Sequence, residues 1–145
     1  MRIKVAITID APPRDTWQVV SPIEHHVDWM ADAESIRFVG AQTRGVGTTF
    51  DCVTKVGPIR LTDRMSVTEW EPGRSMGIEH RGVVTGRGRF TLRRRRGGRT
   101  RFTWNERLTF PWWMGGPVGA VAAKPILRAV WRRNLRRLKT IVEAR

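Results

Sequence analysis

A chain of 145 residues, 40% of them hydrophobic, is long enough to bury a core, and it contains no run of 18 or more apolar residues to cross a membrane as a helix. Twenty-seven Lys and Arg against 13 Asp and Glu leave a net charge of +14, which favours anionic partners at long range without naming one. The single cysteine, Cys52, excludes an internal disulfide and a cysteine-based zinc cluster.

Ile3, Val5, Ile7 and Ile9 alternate with polar residues over positions 2–9, so the chain opens on a strand rather than a signal peptide. The segment "DAPPRDTWQVVS" predicts a short helix, with Asp10 as its cap, prolines in its first turn, and Trp17 and Val20 on one face. Ser21-Pro22 ends it and starts a second short helix, "PIEHHVDWMAD". Residues 34–110 then alternate as a series of strands. "ESIRFVG" is the first; "GVGTTFDCVT" turns Val46, Phe50 and Cys52 to one face; "IRLTDRMSVTEW" turns Ile59, Leu61, Met65 and Val67 the same way. "SMGIEH" offers Met76, Ile78 and His80, and "VVTGRGRFTL" offers Val84, Phe90 and Leu92 with Arg87 and Arg89 opposite. In the last strand, "FTWNERLTFPWW", Phe102, Trp104, Leu108 and Phe110 share their face with a carboxylate, Glu106. The connections at Gly57-Pro58, Pro72-Gly73, Gly82 and Gly97-Gly98 carry turn chemistry. Finally Leu127, Val130, Trp131, Leu135, Leu138, Ile141 and Val142 form one helical stripe, with arginines over the remainder and a kink or restart expected at Pro125. Strand, two short helices, about six strands and a long helix form one α+β domain over residues 1–145, an antiparallel sheet with its helices on one face.

The segments "IDAPPRDTWQVVS", "GVGTTF", "VTEWEPGR", "TRFTWNE" and "LKTIVEA", in this order, resemble the START/Bet v 1-like helix-grip superfamily, also called SRPBCC or polyketide cyclase/dehydrase-like proteins. The resemblance implies a curved sheet of about seven strands that grips the C-terminal helix, with a cavity between them. It also implies lipids, quinones, sterols or polyketides as ligands, and no universal catalytic motif.

Side-chain parity carries the residue-level reading further, because opposed residues on paired strands face the same side. A four-residue loop at 71–74 places Met65 opposite His80 and Val67 opposite Ile78. The same bookkeeping places Phe50 opposite Asp63, Cys52 opposite Leu61, and His80 opposite Val84. Phe90, Leu92, Phe102 and Trp104 are all even-numbered, so the Gly97-Gly98 hairpin needs a three-residue loop or a bulge; Glu106 then lies opposite Phe90, and Trp104 opposite Leu92. The inward face therefore holds Thr48, Asp63, His80 and Glu106 among apolar neighbours. By this register Asp63 and His80 form a pair at one end, and Glu106 lies six positions away, on the order of 20 Å, level with Arg74 as its candidate partner.

Two readings of these groups stay open. Asp63 with His80 is either a structural ion pair or a proton-transfer pair for an enolisable ketone. Glu106 is either paired structurally or the polar anchor of a ligand. The enclosing wall is expected to include Phe50, Leu61, Met65, Ile78, Phe90, Trp104 and Trp131, with Glu106, Asp63, His80 and Asn134 orienting polar ligand atoms.

His25 with Asp28 or Asp32 offers too few ligands for a metal, and "HHVDWMAD" reads as a solvated helix. Trp112 and Trp113 read first as a plug for the end of the sheet, otherwise as a gate or a membrane contact; "RRRRGGR" reads as a solvated hairpin tip. The function that fits is binding of a hydrophobic or aromatic small molecule. A polyketide cyclase, aromatase or dehydratase using His80 and Asp63 is the alternative, and a lipid or quinone chaperone at an anionic membrane surface is the third. No cofactor and no metal are expected, nucleic acid is the least supported partner for want of a recognised module, and the cytoplasm is the default location.

Overall fold

Each alternating run of the sequence contains a strand, shorter at some ends than the alternation. The computed structural model describes all 145 residues, Met1–Arg145. It contains strands β1 (Arg2–Ile9), β2 (Ala33–Phe38), β3 (Thr49–Val56), β4 (Ile59–Glu71), β5 (Ser75–Arg81), β6 (Thr85–Arg95) and β7 (Arg99–Thr109). Between β1 and β2 lie helix α1 (Pro13–Val20) and a 3-10 helix, Ile23–Asp28; after β7 come a 3-10 turn, Trp112–Met114, and helix α2 (Gly116–Glu143). The strands form one antiparallel sheet in the order β1-β7-β6-β5-β4-β3-β2, so only β1 pairs out of sequence, against β7. This is the α+β helix-grip arrangement: α2 packs chiefly on β1 and β7, and the 3-10 helix after α1 packs on β2.

The inward faces follow parity. Phe50, Cys52, Val67, Met76, Phe90, Leu92, Phe102, Trp104 and Leu108 are buried, as are Trp131, Leu135, Leu138 and Val142 on the facing stripe of α2. The arginines take the outer face, where Arg87 opposes Arg107, Arg93 opposes Arg101, and Arg95 opposes Arg99. Such like-charged neighbours repel, whereas Arg89 opposes Asn105 and makes a two-point contact with Glu69 at 2.6 and 3.0 Å.

Several expectations are corrected. Asp10 does not cap α1: the cap position is Pro12, with no side-chain hydrogen bond. Val46 is 61% exposed in the loop before β3 rather than inward on it. Helix α2 does not restart at Pro125 but runs through it as one helix. Trp112 and Trp113 do not plug the sheet; they are 87% and 59% exposed.

Register is where parity reaches its limit. Met65 does oppose His80, and Val67 opposes Ile78, but the connection is built differently from a four-residue loop. A bulge between Val67 and Glu69 shifts the pairing so that Trp70 opposes Met76 and Glu71 opposes Ser75. The extra residue flips Trp70 onto the core side, where its ring meets Trp17 edge-on at 5.2 Å. The Gly97-Gly98 hairpin has the expected three-residue loop, closed by Arg95 opposite Arg99, with both glycines at positive φ. Three other pairings slide by two residues. Phe50 opposes Met65 and Cys52 opposes Asp63; His80 opposes Gly86; Glu106 opposes Gly88 while Trp104 opposes Phe90. A slide of two keeps every side chain on its face but changes which side chains meet.

Candidate functional site

The slides bring together what the sequence register kept apart. Gly86 and Gly88 of β6 lie between His80 on β5 and Glu106 on β7. Neither glycine projects a side chain, so the imidazole and the carboxylate meet across the intervening strand. His80 Nε2 lies 3.2 Å from Glu106 Oε2, with both side chains about nine-tenths buried. A Cβ on Gly88 would stand 2.6 Å from Glu106 Oε1, so only glycine leaves room for the carboxylate there. Glu106 is thus paired with His80, and not with Arg74, whose exposed side chain faces Glu71.

Each oxygen of Glu106 has one neighbour: Trp104 Nε1 donates to Oε1 at 2.9 Å, and His80 meets Oε2. The chain of contacts continues through the stacked rings of Trp104 and Trp131, 4.5 Å apart and 11° from parallel. Trp131 Nε1 donates to Asp32 Oδ2 at 3.2 Å, and Asn134 Nδ2 donates to Asp32 Oδ1 at 2.7 Å. Asn134 Oδ1 in turn accepts from the Ala31 amide at 3.0 Å. This ties β5, β7, α2 and the segment before β2 into one network.

Asp63 and His80 share the cavity but form no direct ion pair, so the expected Asp63–His80 pair is corrected to His80–Glu106. Asp63 opposes Cys52 and lies against Gly82, where a Cβ would come within 2.1 Å of Oδ1. That Oδ1 is buried and has no hydrogen-bond partner. Burial raises the Asp63 pKa, against the lowering influence of the His80 charge and of the Val83 and Val84 amides. For His80, burial disfavours the imidazolium, yet the charge and hydrogen bonding of Glu106 and the charge of Asp63 together raise its pKa above 6.5. Nε2 has no partner that meets strict hydrogen-bond alignment, a slack common where a ligand completes the geometry.

These groups line one cavity of about 270 Å³ between the sheet and the first half of α2. Twenty of its 26 lining residues are hydrophobic, so its wall is largely apolar and its few polar atoms weigh heavily. Phe50, Leu61, Met65, Ile78, Phe90, Trp104, Glu106 and Trp131 line it together with His80 and Asp63. Asn134 does not: it is 1% exposed and holds Asp32 and the Ala31 amide instead of facing the hollow. Thr48 also turns inward, but it bonds the Gly45 carbonyl at 2.8 Å away from the cavity. Cys52 lines the wall as a protonated thiol, its pKa pushed up to about 11 by burial.

Three polar lining residues escape sequence reasoning, His26, Asp32 and Thr54. The "HHVDWMAD" segment reads as a solvated helix, and His25 is indeed exposed and paired with Asp28 at 3.2 Å. His26 is its opposite: 2% exposed, with Nε2 2.7 Å from the Val20 carbonyl. The histidine pair shows only that the two rings diverge, since neighbours on a helix point different ways; which of them turns inward the sequence does not say. Burial lowers the His26 pKa to about 4, so the ring is neutral at pH 7 and Nε2–H donates to Val20. Burial raises the Asp32 pKa, opposed by its bonds to Asn134 and Trp131.

The family model described as polyketide cyclase / dehydrase and lipid transport matches residues 1–143. Among solved structures, a protein of Thermus thermophilus superposes with a TM-score of 0.82 at 17% identity, over 99% of this chain and 98% of its own. The Zhui aromatase/cyclase of a Streptomyces species superposes at 0.75 and 16% identity, over 99% and 93%. A Deinococcus radiodurans protein does so at 0.71 and 14% identity, over 97% and 95%. At these identities the likeness is one of fold. Among curated proteins, none matches the sequence.

Proposed function

The chain belongs to the polyketide cyclase/dehydrase and lipid transport family, and from that premise we propose that it encloses a hydrophobic or aromatic small molecule between its sheet and α2. The observation that carries this reading is the cavity of about 270 Å³ with its mostly apolar wall and its buried polar minority. Apolar burial would supply the affinity, and Asp63, His80 and Glu106 would orient polar ligand atoms. The neutral fluorophore N-phenyl-1-naphthylamine is expected to brighten on binding, and native mass spectrometry to reveal a co-purifying mass. Ile78→Trp, which fills the hollow, should weaken the fluorophore at least about ten-fold. A wild-type protein that binds no fluorophore and carries no ligand would remove the reading.

A second reading rests on the juxtaposition of His80, Glu106 and Asp63 in one largely apolar cavity. An enolisable aromatic ketone would lose its α-proton to Asp63, whose raised pKa makes it a stronger base than an exposed carboxylate. The imidazolium of His80, held charged by Glu106, would give its proton to the carbonyl oxygen as the enol forms. The carbon–hydrogen bond breaks, the oxygen–hydrogen bond forms, and no redox partner is needed. This is the elementary step of cyclase or dehydratase chemistry, and one structural neighbour is an aromatase/cyclase by name. With 2-tetralone in D₂O, NMR should show α-exchange accelerated by the wild-type protein and about 10²–10⁴-fold less by Asp63→Asn. No acceleration over buffer would end the catalytic reading and leave the binding one in place.

A third reading concerns access. Trp112, Trp113, Val118, Val121 and Ile126 are all exposed, and Ile126 also lines the cavity. Arg132, Arg133, Arg136 and Arg137 follow on the outer surface of the same helix. Tryptophan at a bilayer interface with arginine at anionic headgroups suits a lipid or quinone chaperone. Flotation with phosphatidylserine-containing vesicles should show binding that falls with salt and is weakened by the double change Trp112→Ser, Trp113→Ser. Protein that stays at the bottom of the gradient at low salt would dismiss it.

A further inference from the structure

The cavity has an unusual charge for this chain. Lys and Arg make up 27 of the 145 residues, yet none of them lines it. Asp and Glu number only 13, yet Asp32, Asp63 and Glu106 all line it. Arg128 neighbours the lining residue Leu127 in sequence but is not among the lining residues itself. The only cationic group within reach of a ligand is His80, and Glu106 already sits 3.2 Å from it. A carboxylate or phosphate entering this space would meet three acids and no free cation, and burying an unpaired anion is costly.

The free polar atoms point the same way. Both oxygens of Glu106 and both of Asp32 have neighbours, but Asp63 Oδ1 is buried and unpartnered. His26 donates through Nε2 to Val20, so in the neutral ring Nδ1 carries no proton and can only accept. The flat stack of Trp104 on Trp131, with Phe90 edge-on to Trp104 at 5.4 Å, forms an aromatic wall beside these acceptors.

We infer that the cavity selects an uncharged aromatic ligand that carries hydroxyl groups and turns away carboxylate and phosphate anions, free fatty acids and anionic lipid headgroups among them. A phenolic or enolic hydroxyl would donate to Asp63 Oδ1, while His80 Nε2 stays turned to Glu106. The inference rests on the cavity being a ligand site. It adds the sign and hydrogen-bond polarity of the ligand, which neither the fold nor an apolar wall specifies.

Three probes of one ring system test it on the wild-type protein: 1-naphthol, naphthalene and 1-naphthoate, each titrated at pH 7.5 by tryptophan fluorescence. The expected order of affinity is naphthol above naphthalene above naphthoate, with naphthol ahead of naphthoate by roughly ten-fold or more. Asp63→Asn, which removes a charge and adds a donor, should narrow the gap by admitting naphthoate. Naphthoate binding as tightly as naphthol would overturn the inference while leaving the binding reading intact. Failure of all three probes together with N-phenyl-1-naphthylamine would remove the binding reading itself. The wild-type comparison carries the test even if the variant folds poorly.

Discussion

Glu106→Gln is expected to invert the pH dependence that His80 gives to stability. In the wild-type chain the folded-state pKa of His80 lies above its ordinary 6.5, held there by Glu106 and Asp63 against burial. The contribution is fully present below the unfolded value and is lost as pH rises through the folded one. With residue 106 neutral, burial, the largest single influence on His80, acts against the Asp63 charge alone. The folded pKa then falls below 6.5; the contribution is present above the unfolded value and is lost as pH falls through the folded one. His26, with its pKa near 4, adds the same acid-side loss to both proteins, so their difference isolates His80. At pH 7 the variant should lose about 1–3 kcal/mol, less than the ~3–5 kcal/mol of a broken buried pair whose survivor must stay charged, because imidazole can shed its proton. Thermal melts from pH 4.5 to 9 and an NMR titration check this, with three histidines to assign. An unchanged His80 titration in the variant would show that the 3.2 Å contact is not an ion pair in solution.

Trp29→Ala is expected to cost about 3–5 kcal/mol, a large share of the ~5–15 kcal/mol that holds a domain of this size. Trp29 is 1% exposed and central to an aromatic cluster. Its ring lies 5.3 Å from His26, 5.7 Å from Phe90, 6.3 Å from Phe102 and 6.1 Å from Trp104. Removing it empties the junction between the 3-10 helix and the sheet, and His26 loses the neighbour that keeps it dry. Trp29→Phe should cost less than half as much, because the indole N–H is buried without a partner and its loss sacrifices no hydrogen bond. Urea denaturation of the three proteins reads both values. A Trp29→Ala midpoint close to wild type would mean that the cluster collapses around the gap.

The two experiments address groups that differ in how well the sequence announces them. Glu106 stands out as a carboxylate on an apolar strand face, and parity turns it inward correctly. Its partner is another matter. The sequence register sets His80 and Glu106 six positions apart; the structure sets His80 level with Leu108, two residues from Glu106. Both contributing slides are two residues long and run in the same direction, so their errors add. Trp70 shows the complementary failure: one bulge moves it from the outer face to the core, a change no alternation pattern signals.

The alternation of β1 to β7, the helical stripe of α2 and the turn glycines determine by themselves the elements, their order, the inward faces apart from the bulged Trp70, and that the Gly97-Gly98 hairpin takes either a three-residue loop or a bulge. These are local properties with periods of 2 and 3.6, written in neighbouring residues. The tertiary structure alone decides the register, and through it the meeting of His80 with Glu106, the unpaired oxygen of Asp63 and the inward turn of His26. The reason is that sliding a strand by two residues preserves every face and the whole ladder of backbone bonds. Only the fit of side chains across strands distinguishes the alternatives, as where Gly88 leaves the space that Glu106 fills.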